Sequence, residues 1–267
     1  MHLALYAGNS LQRAELLSFA APLITAFAER LTLIAPVSEA AMLDDAITHL
    51  QPEPAVQLRR WRQGDNFAAA ILTAIAADRP DLLLIPALAP RATPLSWRRR
   101  QLEFDLLGSL PAPFLRVYGR ITPIRRILVA SAGGARSLRC VPLVSQLARA
   151  FQAEVTVLHV TSQEVVYFDG FTELPPSDEP TTSSLQQLAA TLNAQGSPTR
   201  LQIVQGLVEE TVLAECQHYD LLVIGSHQTE FDTTVPAGRW LRLLQRLSLQ
   251  DVTRDLLDRS PIPVLVI

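Results

Sequence analysis

Short apolar runs alternate with longer segments of helical period along the whole chain. In the second half, Arg125-Arg126 leads into Ile127-Leu-Val-Ala130, a continuous apolar run of the length of a buried parallel strand. Ser131-Ala-Gly-Gly134 turns the chain, and 137–151 has helical period, with Leu138, Val141, Leu147 and Phe151 on one face. The pattern then predicts a strand over 154–160, a helix over 184–194, a strand over 200–204, a helix over 209–217 and a strand over 221–224 ending at Gly225. A helix near 251–258 and a strand over 264–267 close the chain, and 162–184 is a long connection that a compact domain would normally trim. The first half repeats this order, with strands at 3–6, 31–34, 56–61, 82–85 and 114–117 and helices at 11–28, 40–50 and 67–77.

The two halves are one unit written twice. Adding 124 to Leu3, Leu5, Leu23, Ala26, Phe27 and Thr32 gives Ile127, Val129, Leu147, Ala150, Phe151 and Thr156. Asp81-Leu-Leu-Leu-Ile85 meets Asp220-Leu-Leu-Val-Ile224 at an offset of 139, and Pro111-Ala-Pro113 meets Pro261-Ile-Pro263 at 150. This divides the chain into repeats at 1–122 and 123–267. Strand-helix alternation in each repeat predicts an α/β fold, two tandem doubly wound, Rossmann-like parallel sheets, with any ligand crevice beyond the carboxyl ends of the strands. The residues expected there are Ala132 to Gly134, His159 to Thr161 and Gly225 to His227.

Composition narrows the functions. With 48% hydrophobic and 18% charged residues, the 267-residue chain is globular, and its greasiest stretch, 16–28, is interrupted by Ser18, Pro22 and Thr25. No membrane insertion and no signal peptide are expected, which points to the cytoplasm. Net charge is −3 and neither half is strongly basic, so no nucleic-acid partner is expected. Every basic residue is Arg; without Lys there is no Schiff-base or phosphate-gripping lysine. Cys140 and Cys216 have no His or Cys at metal spacing and read as small buried residues.

Ala130-Ser-Ala-Gly-Gly134, His159-Val160, Asp220-Leu-Leu-Val-Ile-Gly-Ser-His227 and Pro263-Val-Leu-Val-Ile267 together resemble the tandem universal stress proteins, whose domains carry "AVDGS", "HV", "DLIVIGSHG" and "PVLVV" in this order. The resemblance implies that strands at 114–117 and 264–267 pair within the chain as a built-in pseudo-dimer, with a homodimer as a further option. The nucleotide-binding branch of that family also carries G-x-x-G, nine residues and Gly-Ser or Gly-Thr. Here Gln228 and Phe231 stand at the two glycines and Gln250-Asp251 at the closing pair, where a carboxylate repels phosphate but caps a helix well. Ala132 stands at the family's β1 aspartate. In the first repeat Gly8 replaces that aspartate, Pro86-Ala87 the Gly-Ser and Arg100-Gln101 the phosphate pair. The expectation is a non-enzymatic stress-response protein with degenerate nucleotide sites and no resident cofactor, acting by ligand sensing or partner binding. The alternatives are an ATP- or AMP-binding protein and a soluble regulatory module of a membrane transporter.

The candidate crevice is Ser131, Ala132, Gly133, Gly134, Arg136, Ser137, His159, Val160, Gly225, Ser226 and His227, suited to a small anionic ligand or nucleotide. Ala132 to Ser137 also resembles the SGGxDS loop of ATP pyrophosphatases, without its aspartate and first serine; the plainer reading is a Gly-Gly turn between strand and helix. His159 and His227 lack a carboxylate at defined spacing, and Ser226 lacks the G-x-S-x-G elbow, so no catalytic nucleophile and no metal site are assigned. Two loops place Trp beside Arg, Trp97-Arg-Arg-Arg100 and Gly238-Arg-Trp-Leu-Arg-Leu-Leu-Gln-Arg246, the second amphipathic as a helix and suited to covering core, an anion or a protein partner. On the strand through Trp61, alternation sends Arg59 and Trp61 to one face and Arg60 and Arg62 to the other.

Overall fold

A strand covered on both faces reads as an unbroken apolar run because no position along it meets water. That is the condition of β1 (His2–Tyr6), β4 (Leu82–Pro86), β6 (Arg126–Ala130) and β9 (Leu221–Ile224), whose apolar residues from Leu3, Leu82, Ile127 and Leu221 onward are nearly all buried. The computed structural model describes residues 1–10, 12–87, 110, 112–161, 179–225 and 252–267. They form two units, Met1–Pro123 with Ile262–Ile267, and Ile124–Pro261.

In the first unit the strand order is β3-β2-β1-β4-β5-β10, with β2 (Arg30–Ile34), β3 (Gln57–Trp61), β5 (Phe114–Val117) and β10 (Val264–Val266). All pairings are parallel except the last, in which β10 runs antiparallel to β5 with Leu265 opposite Leu115. Helices α1 (Arg13–Phe27), α2 (Ala41–Leu50) and α3 (Phe67–Asp78) are the crossovers, and Asn66 caps α3 through its side-chain oxygen on the Ala69 N–H at 3.0 Å. The second unit has the order β9-β6-β7-β8, all parallel, with β7 (Glu154–Thr161) and β8 (Thr199–Gln205). Its helices are α4 (Val141–Phe151), α5 (Glu179–Ala194), α6 (Val208–Glu215) and α7 (252–259). In both units the first strand lies between the second and the fourth, so the switch in strand order falls beside β1 and beside β6.

Packing groups the chain a little differently from the sequence repeats. Pro123 and the last six residues lie with the first unit, the latter because the backbone of β10 is paired with β5. This is the pairing that the resemblance implies.

The duplicated residues have duplicated tasks. Asp81 precedes β4 and accepts from the His2 N–H at 2.7 Å; Asp220 precedes β9 and accepts from the Arg125 and Arg126 N–H groups at 2.9 Å each. Thr32 and Thr156 are buried polar side chains at the same place in β2 and β7. Thr32 Oγ1 donates to Asp78 (2.8 Å) and lies 2.9 Å from His2 Nε2, while Thr156 Oγ1 accepts from Arg200 Nε at 2.9 Å. Each hydroxyl is thereby satisfied in surroundings where an orphan would cost about 1–3 kcal/mol.

On β3 the alternation holds: the Arg59 guanidinium lies 4.8 Å over the Trp61 ring and meets the Asp78 carboxylate, while Arg60 reaches Asp44 at 3.1 Å. The helix expected over 137–151 is divided, with a 3-10 segment over Ala135–Cys140 before α4. Pro142 has no N–H and fits only the first turn of an α-helix, which fixes where α4 begins. Among the described residues no helix is long and apolar enough to cross a membrane.

Candidate functional site

In the second unit the site forms where β6 runs out. The Ser131 N–H still joins the ladder, donating to Leu158 O at 3.0 Å, and the chain then turns through Gly133 and Gly134 at φ 86° and 88°. These values explain both glycines, since a side chain is strained there even at Gly134, where a Cβ would meet nothing. The turn is closed by its own groups. Ser131 Oγ and Ser137 Oγ are 2.7 Å apart, the Gly133 N–H donates to Ser131 Oγ at 3.1 Å, and the Ser137 N–H donates to Gly134 O at 3.1 Å.

His159, near the end of β7, has Nδ1 2.8 Å from Ser131 O. A carbonyl only accepts, so Nδ1 carries the proton and Nε2 is the acceptor nitrogen of the neutral ring. The imidazole thus holds the Ser131 backbone rather than activating the Ser131 hydroxyl, and the two do not make a nucleophile and base. Val160 follows in β7, paired with Val204 of β8. Ala130 faces Ile224 in register, so Ser131 and Gly225 leave neighbouring strands side by side. Ala132 and Arg136 are exposed on the turn and the 3-10 segment. The structure therefore brings together Ser131, Gly133, Gly134, Ser137 and His159, with Gly225 beside them. Ser226, His227, Gln228, Phe231, Gln250 and Asp251 lie outside the described residues, as do Arg100-Gln101, the two Trp/Arg loops and the connection over 162–178.

The equivalent turn of the first unit is built differently, and the sequence reading missed it. After β1 the Ala7 N–H donates to Ile34 O at 2.8 Å, and the next groups meet a carboxylate from a distant segment. Glu39 Oε2 accepts from the Asn9 N–H at 2.6 Å and from the Tyr6 hydroxyl at 3.3 Å. Gly8 sits so close that a Cβ there would collide with that carboxylate and with the Tyr6 phenol. Burial, with the Glu39 charge second, pushes the Tyr6 hydroxyl well above its ordinary pKa, so it remains a donor. Arg13 spans the same corner, donating to Ala7 O (3.0 Å), Met42 O (2.8 Å) and Asp45 (2.6 Å). Gly8 was the only local signal of this arrangement; Glu39 lies 31 residues further on.

Among the described residues no three His, Cys, Asp or Glu side chains are grouped to hold a metal. Burial pushes the Cys140 thiol up to about 11 and the Cys216 thiol to about 12, so both are neutral near pH 7 and neither is a poised nucleophile.

No curated protein matches the chain in sequence. Among solved structures it is similar to a universal stress protein from Archaeoglobus fulgidus DSM 4304, with TM-score 0.64, 14% identity and coverage of 98% of this chain and 95% of that one. It is also similar to a functionally unknown protein from Pseudomonas aeruginosa PAO1 (TM-score 0.62, 18% identity, coverage 99% and 91%). The cytoplasmic domain of a prokaryotic cation chloride cotransporter shares the fold as well (TM-score 0.56, 11% identity, coverage 99% and 94%). At these identities the likeness shows the fold. The sequence pattern of the universal stress protein family matches residues 123–267. Together with the doubled strand order and the Gly-Gly turn at the end of β6, this makes the chain a member of the universal stress protein family.

Proposed function

We propose that this chain is a non-enzymatic universal stress protein with degenerate nucleotide sites, acting by binding a ligand or partner rather than by turnover. The observation that carries the reading is the same in both units: polar groups of the turn after the first strand are engaged internally. In one, Glu39 occupies the turn; in the other, Ser131, Gly133 and Ser137 hold one another and Ala132 offers no carboxylate to a ribose. The second unit keeps the more open arrangement, with exposed Ala132, Gly134 and Arg136, and is the better candidate for sensing a small anion. Ligand at 100 times its Kd stabilises a protein by about 2.7 kcal/mol, so thermal unfolding with ATP, ADP and AMP, run beside a phosphate-release assay, tests the reading. Unchanged melting and no turnover are expected. A clear shift together with turnover lost in Arg136→Ala would replace this reading with that of a nucleotide-hydrolysing protein.

The fold shared with the cotransporter domain supports a second reading, a regulatory module for a membrane transporter. Its sign would be a stable complex with an integral membrane protein, again without turnover.

A further inference from the structure

We infer that the open edge of the second sheet is a contact between two copies of this chain, in which β8 pairs antiparallel with the β8 of a second copy and Ile203 lies on the two-fold axis. The inference rests on the backbone of β8 and does not depend on what either turn binds. β8 ends its sheet, with β7 on one side only. A strand in that position points the N–H and C=O groups of alternate residues outward. Pro198 O accepts from the Val155 N–H at 2.8 Å, and the Gly206 N–H donates to Thr161 O at 3.1 Å. The even-numbered residues therefore face β7, and Thr199, Leu201, Ile203 and Gln205 present their backbone groups outward. The first of these is already closed. Asn193 of α5 accepts from the Thr199 N–H at 2.9 Å and donates through Nδ2 to Thr199 O at 3.0 Å, as a neighbouring strand would. Among the described residues nothing pairs the backbone of the other three.

The edge strand of the first unit, β3, is guarded. Its outward residues are Leu58 and Arg60, with Arg59 between them and Arg62 just beyond, so a second copy laid there would bring arginine against arginine. β8 has no such defence. Its one charge, Arg200, is drawn to Thr156 Oγ1 at 2.9 Å, and Ile203, 47% exposed, stands in the middle of the open stretch. Three open residues are their own complement under a two-fold axis. With Ile203 opposite Ile203, each Leu201 faces a Gln205, and all three exchange backbone bonds across the contact. Moving the axis to Gln202 would set Gln205 against Thr199, whose groups Asn193 holds, so the register centred on Ile203 is the one that closes the edge. A ladder of three residues a side is short, which makes the association concentration-dependent rather than obligate.

The test is sedimentation velocity of the full chain over a concentration series, in the wild type, Ile203→Arg and Leu58→Arg, the last a control on the guarded edge. The wild type should dimerise reversibly. Ile203→Arg sets two arginines face to face and should raise the dimer Kd by at least about tenfold, while Leu58→Arg should leave it unchanged. Ile203→Cys gives a second reading. Opposed residues that exchange both bonds in an antiparallel pair lie about 5.5 Å apart at Cα, so a short bis-maleimide should join two chains through it. Leu72→Cys, exposed on α3, should not be joined. A wild type that stays monomeric to its solubility limit overturns the inference and leaves the edge to a strand from another protein. A dimer that Ile203→Arg does not weaken, or that Leu58→Arg weakens equally, overturns it too. If Ile203→Arg does not fold, Ile203→Cys decides alone: joined chains support the contact, and chains that stay separate overturn it.

Discussion

Single residues decide which of the two turns is open. Gly8 and Gly134 occupy related turns for different reasons: Gly134 for its positive φ, Gly8 for the absence of a Cβ. Gly8→Ala therefore drives a methyl group into Glu39 and the rigid, buried Tyr6 ring, and an overpacking cost of about 1–3 kcal/mol is expected as a lowered urea midpoint. His2 carries a pH dependence. Burial lowers its pKa from 6.5, against the opposing pull of Asp78 and Asp81 and with help from Arg30. The fold therefore favours the neutral ring, and the unfolded chain takes up the proton first. Its contribution is intact above pH 6.5 and is lost as pH falls below 6.5 toward the folded value. His2→Gln retains a donor toward Thr32 and cannot titrate, so its urea midpoint should fall less than that of the wild type over the same acid interval.

At the scale of elements, β10 has the largest consequence for its length. Ile262, Val264, Leu265 and Val266 are all buried, and by area each contributes about 1.5–3 kcal/mol, roughly 6–12 in total as an upper bound. That is comparable with the whole stability of a domain, about 5–15 kcal/mol. Deleting residues 262–267 removes this burial and leaves the β5 backbone without its antiparallel partner, and loss of cooperative unfolding in the first unit, followed by hydrogen exchange at Leu3 and Leu5, is the expected result. Most elements were legible because buried parallel strands announce themselves as apolar runs and because every run occurs twice. The misses have local causes. The segment before α4 shows helical period but not the restriction that Pro142 imposes, and α5 begins at Glu179 rather than 184 because Pro180, Thr181, Thr182, Ser183 and Ser184 are poor signals of a helix interior. The crevice of the second repeat was legible from its Gly-Gly turn and from His159 at a strand end. That of the first was not, since the contact between Asn9 and Glu39 joins two segments that only the folded β1–β2 pair brings together.

For the whole molecule, duplication has preserved the framework and let the sites diverge. The paired aspartates Asp81 and Asp220 accept from backbone N–H groups at the start of the first strand of each unit, and the buried threonines Thr32 and Thr156 keep their place although their partners differ, Asp78 and His2 in one unit and Arg200 in the other. The turns differ more, and one now holds its own carboxylate while the other holds paired serines. The central proposal, that this family member has degenerate nucleotide sites and acts by binding another ligand or a partner, is tested most directly by equilibrium dialysis of the full chain against labelled ATP. No saturable retention is predicted; retention approaching one ATP per chain would contradict the account.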